Sequence, residues 1–119
     1  MEEMEDELEY YEMLNRDAIV VKPKKPLFDW ANSLTPDEDP VPESRRGKIY
    51  LIKEKDTEEA VDRWFRRNFD RIFTAELADW WLDENDWPEK RTFKLFSEWF
   101  DYEIYQLVLD MESEDILKD

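Results

Sequence analysis

The chain has no cysteine, no histidine and a single glycine in 119 residues, and these shortages remove most recognisable site chemistry. Without cysteine there is no disulfide, no thiol nucleophile and no thiolate for an iron–sulfur cluster. Without cysteine and histidine together, the usual ligands of zinc, copper and haem are missing, and only oxygen is left to hold a metal. Gly47 alone cannot build a phosphate-binding loop, which needs several glycines for close backbone approach. Long apolar runs are absent too. Nothing approaches the ~18 residues of a membrane-crossing helix, and no basic start followed by an apolar stretch reads as a secretory signal. The expectation is a cytoplasmic protein, off the membrane, with no cofactor.

What the chain does have is acid and aromatic rings. Asp and Glu number 33 against 17 Lys and Arg, for a formal net charge of −16. Such charge usually marks disorder, because scarce apolar surface cannot offset chain entropy. Here 7 Phe, 6 Trp and 5 Tyr supply that surface, so the chain is expected to fold. The charge is uneven. Residues 1–15 hold seven acids and no base, and residues 110–119 hold five acids against Lys118. The acidic N-terminal segment 1–15 carries Met4, Leu8 and Tyr11 at helical spacing and reads as a helix. Residues 16–111 read as one globular domain, and 112–119 as an acidic tail.

Within the domain, Asp17–Lys22 is a β-branched run ended by Pro23, a first strand. Pro26 suits a helix start, and Leu27, Trp30, Ala31 and Leu34 keep helical spacing. Residues 35–46 contain three prolines and read as a loop. Lys48–Lys53 is the second strand. Asp56 and Glu59 form a candidate capping box for a helix whose inner face takes Val61, Trp64, Phe65, Asn68, Phe69 and Ile72. Thr74 reads as the restart of a second helical piece, with Leu77, Ala78, Trp81 and Leu82 inward. Asp86 and Glu89 are expected to cap a third piece with Pro88 in its first turn and Leu95, Phe96, Trp99 and Phe100 on one face. Tyr102–Asp110 alternates as a third strand.

The order β-α-β-α-α-α-β predicts an α+β fold: a small three-stranded sheet with helices packed mainly on one face. Strands one and two could be parallel across their crossover. The open sheet face would be lined by Tyr50, Tyr102 and Tyr105.

The stretches VVKPKKPLFDWANSL, IYLIKE, DENDWP and LFSEWFDYE resemble a family of small uncharacterised bacterial proteins, over roughly residues 17–111. The resemblance rests on Trp30, the Trp87-Pro88 pair and Trp99-Phe100-Asp101. It implies a free-standing bacterial cytoplasmic domain and transfers no functional residue. A histidine that the resemblance leads one to expect in the last strand is replaced by Tyr105 or Gln106, which speaks against imidazole chemistry.

Two groups of residues stand out as candidate sites. Trp80 and Trp87 flank the acidic turn holding Asp83, Glu84 and Asp86, the make-up of a hot spot for a basic protein partner, or else simple edge packing. Arg63, Arg66, Arg67 and Arg71 share one helix face, which reads as a braced solvated surface, a dock for the chain's own acidic end, or an anion site. Neither Asp83–Asp86 nor Asp37–Asp39 has the spacing of a calcium loop. The leading expectation is a non-enzymatic, acidic protein-interaction module. Its alternatives are a nucleic-acid mimic that occupies a DNA- or RNA-binding protein, and a small carboxylate enzyme using magnesium. A homodimer is compatible with the aromatic surplus, and nucleic acid is disfavoured as a partner by the charge.

Overall fold

The computed structural model describes residues 12–43 and 47–119. Among these residues five strands and three helices follow in order: β1 (Glu12–Met13), β2 (Arg16–Pro23), α1 (Lys25–Ser33), β3 (Lys48–Lys53), α2 (Glu58–Trp80), α3 (Phe93–Trp99), β4 (Phe100–Tyr105) and β5 (Leu109–Asp110). A 3-10 turn, Glu84–Asp86, joins α2 to α3.

Strand β2 is central, and among the described strands it alone is buried on both faces. Ile19 and Val21 are fully buried on one face and Ala18 is nearly so on the other. β3 and β4 flank it in the order β3-β2-β4, both antiparallel to it. This corrects the parallel reading of the first two strands. β3 returns antiparallel beside β2, so the connection that carries α1 is not a βαβ crossover. Helix α2 lies across the inner face and buries Val61, Phe65, Ile72, Phe73 and Leu77 against Ile19, Val21, Ile52, Phe96 and Phe100. The rings meet mostly edge to face, with Phe65–Phe96 and Phe73–Phe100 centroids at 5.3 and 5.6 Å. The outer face stays open, with Ile49, Leu51 and Tyr105 exposed.

Several local expectations are corrected. The two helical pieces around Thr74 are one helix of 23 residues, because the Thr74 hydroxyl bonds back to the Asp70 carbonyl (2.8 Å) instead of capping. Thr57, not the Asp56/Glu59 box, caps α2 by accepting from the Ala60 N–H. Thr92 caps α3 by accepting from the Leu95 N–H, so Asp86, Pro88 and Glu89 lie ahead of the helix. Leu82, expected inward, is past the helix end and 82% exposed. Phe100 leaves α3 and starts β4 opposite Pro23, with extended backbone and no linking loop.

The last strand is split. β4 ends at Tyr105, and Leu109–Asp110 pair instead with Met13 and Glu12 in a separate two-stranded ribbon. Residues 12–13 of the expected N-terminal helix are therefore strand. The Met4–Leu8–Tyr11 stripe lies outside the described residues, and 112–119 hold no helix or strand. Among the described residues, no helix is long and apolar enough to cross a membrane.

Candidate functional site

The residues singled out around the acidic turn are brought together, but their polar ends face one another. The Trp30 indole N–H donates to the Asp86 carbonyl (3.0 Å) and the Trp81 indole N–H to the Asp86 carboxylate (2.9 Å). The Trp87 indole N–H donates to the Trp81 carbonyl (2.8 Å). Asp83 accepts from the Asn85 N–H and closes the 3-10 turn, while Glu84 stays exposed. Trp80 is half-buried with its ring edge-on to Phe28, and Trp87 packs half-buried against the core beneath Arg91. Three tryptophans thus clasp the turn, and their donors are used inside the molecule.

The arginine face does not act as one unit. Arg66 is held by Asp62 (2.7 Å) and lies over the Phe93 ring, 4.4 Å from its centroid. Arg67 is exposed. Arg63 lines a groove along β4, and Arg71 lines two, one along β3 and one with Glu84, Trp87 and Arg91.

The β3 and β4 grooves follow the two free edges of the sheet. Among the described residues, no strand pairs with the second edge of β3 or of β4. The β4 groove, about 780 Å³, is lined by consecutive residues Tyr102, Glu103, Ile104 and Tyr105. Consecutive residues of a strand point to opposite faces, so a groove touching all of them must straddle the edge. Its other wall is the first turns of α2, with Glu58, Glu59, Asp62 and Arg63. The β3 groove, about 460 Å³, is lined in the same way by Tyr50, Leu51, Ile52 and Lys53, and across it by Trp64, Arg71 and Ile72. The first has four carboxylates and one guanidinium; the second has Lys53 and Arg71 and no acid.

Hydrogen bonding favours the ionised form of two acids of the β4 groove. Asp62 accepts from the Arg66 guanidinium and from the Tyr102 hydroxyl (2.7 Å each), and the bond from Arg66 foremost pushes its carboxyl below the usual carboxylate range. Glu103 is likewise lowered, first by the Tyr105 hydroxyl and then by Lys22 at 3.8 Å. Burial, and then Asp62, pushes the Tyr102 phenol up, while Glu103 does the same for Tyr105. Acid–base work by paired carboxylates calls for one member raised and protonated, whereas both shifted acids of the groove move down. Tyr50 and Tyr102, expected on the open sheet face, instead turn under α2 toward Glu76 and Asp62, and Tyr105 alone is outside.

Two buried acids escaped notice in the sequence. Asp17, 2% exposed, accepts from the Lys55 N–H (2.8 Å). Gln106 reaches the same place by donating to the Lys55 carbonyl (3.0 Å). Glu76, 3% exposed, accepts from the Tyr50 hydroxyl (2.5 Å) and meets the Lys48 ammonium (2.7 Å), which also pairs with Asp79. The only sequence signal for Glu76 was its place beside Leu77 on the inward arc of the helix. Among the described residues, no group of three or more acids is arranged to hold a metal ion. No family model matches the chain, and neither a curated protein nor a solved structure matches it.

Proposed function

We propose that the chain is a protein-interaction module that takes an extended, basic segment of a partner protein along its β4 edge. The observation that carries this reading is the groove along the outer edge of β4, which no strand among the described residues covers, walled by Glu58, Glu59, Asp62 and Glu103. A free edge offers a row of main-chain donors and acceptors, so an added strand gains affinity without any particular side chain. The carboxylates then select for Lys and Arg at alternate positions of the guest. Ile104 and Tyr105 offer apolar contact between the charges. The chain's −16 charge steers a cationic partner toward it from a distance.

A peptide alternating lysine with valine is the probe, and tryptophan fluorescence or calorimetry is the readout. The wild-type chain should bind it, more weakly as salt rises. Glu59→Lys with Glu103→Lys should weaken binding about tenfold or more, from two reversed charge contacts near a low-dielectric edge. Binding that ignores this double substitution, or no binding at low salt, overturns the reading.

A further inference from the structure

Lys53 and Arg71 are the cations of the β3 groove, and both are exposed. Neither takes part in an ion pair among the described residues. Three and four positions from Arg71 along α2 stand Arg67, Asn68, Thr74 and Ala75, so no helical neighbour braces it with an acid. Lys53 faces Arg16 across the strands, a like-charged pair that an anion relieves. Asp17, opposite Ile52, is buried and bonded to the Lys55 N–H. Glu84 lines the other groove of Arg71 but makes no ion pair with it. Leu51, Trp64 and Ile72 supply apolar wall beside the two cations. In a chain of net charge −16, this groove suits an anionic segment with apolar side chains of its own.

We infer that the β3 groove is the docking site of residues 1–11 of the same chain. Those residues include six acids and no base, and Met4, Leu8, Tyr10 and Tyr11 are their apolar members. They run into β1 at Glu12, four residues before Arg16, the cross-strand partner of Lys53. Four residues span about 13 Å and eleven up to about 36 Å when extended, so the segment has the reach to turn back over Lys53 and on toward Arg71.

The tether selects this occupant. A free acidic partner, or a second copy, has to approach against the −16 charge. An attached segment is already held at an effective concentration of about a millimolar. The other acidic end, residues 112–119, is exposed at every position and so lies outside the groove. Docking also covers the outer edge of β3, beside the exposed Ile49 and Leu51, where an open strand invites indiscriminate pairing. The β4 edge then remains for a partner.

Because the chain has no cysteine, Glu3→Cys gives a single attachment point for a nitroxide in the full-length protein. Paramagnetic broadening of the backbone amides of β3 and of the Trp64 indole N–H is the readout, at low salt. Both should broaden, and raising salt should reverse it. Lys53→Glu with Arg71→Glu should weaken docking about tenfold, and the broadening should fall with it. Lys53→Gln with Arg71→Gln should shift it the same way by less, and decides the matter if the first pair disturbs the amide spectrum as a whole. Lys90→Glu with Lys94→Glu changes net charge by the same amount at two other exposed lysines and should leave the broadening intact. An equal loss in that control pair overturns the inference, since only overall charge would then be acting. So does broadening centred on the β4 edge or around Arg67, or no broadening of β3 at all. Broadening passed from a labelled chain to an isotope-enriched, unlabelled one in a mixture overturns it too, because the segment would then be docking between copies.

Discussion

Asp17 shows how much one buried side chain can hold. Its carboxylate satisfies the Lys55 N–H, just past β3, and Gln106 ties the same carbonyl–amide stretch to the end of β4. All three strands are thus pinned at one end. Asp17→Ala should cost about 2 kcal/mol in urea unfolding, the penalty of an orphaned buried N–H, while Asp17→Asn, which still accepts, should recover most of it. The tyrosines set a pH limit. Burial, followed by the bond to Glu76, raises the Tyr50 phenol far above its ordinary 10.0, and Tyr102 and Tyr105 move the same way. The unfolded chain therefore loses these protons first. Stability present below pH 10 or so should fall as pH rises beyond it, and Tyr50→Phe should flatten that slope. The lowered carboxyls of Asp62 and Glu103 act in the opposite sense, their contribution being present above pH 4 or so and lost as acid protonates them.

Among the elements, α2 was legible in its face but not in its length. Val61, Phe65 and Ile72 are buried as their spacing required, yet a threonine inside the pattern suggested a break. A hydroxyl can cap a helix or bond back into one, and the choice depends on whether the following turns are packed. Here Phe73 and Leu77 are fully buried on the sheet, so the helix continues. Thr74→Ala should leave thermal stability unchanged or raise it by about 0.5 kcal/mol. Thr57→Ala and Thr92→Ala should each cost about 1 kcal/mol, because these threonines do cap. Calorimetric melting of the three variants separates the roles. The β1–β5 ribbon illustrates the limit of reading strands singly. Alternation ran on from Tyr102 to Asp110, and nothing local marked the point after Tyr105 where the chain exchanges β2 for β1 as its partner.

At the scale of the whole molecule, aromatic packing works against self-repulsion. Phe65, Phe73, Phe96 and Phe100 are almost wholly enclosed, in a chain whose surface carries most of its acids. Raising salt from a few millimolar to about 0.15 M shortens the Debye length to about 8 Å, so the midpoint of thermal unfolding should rise by a few degrees. A fall would mean that local ion pairs such as Arg91–Asp70 and Lys48–Glu76 outweigh the global repulsion. The grooves belong to this scale too. Glu103 and Tyr105 were visible as one face of a strand, and Arg63 and Arg71 as one face of a helix. That Arg63 and Arg71 open onto opposite edges of the sheet follows only from α2 crossing it between them.

The amino-acid sequence by itself determined the kinds of elements, their apolar faces, the mixed α+β character and a net charge that sets the solution behaviour, because periodicity and composition are properties of neighbours along the chain. Strand order, direction and the separation of Arg63 from Arg71 onto opposite sheet edges were decided by tertiary structure. They depend on which strand meets which across long stretches of sequence, and the middle place falls to β2, the strand buried on both faces.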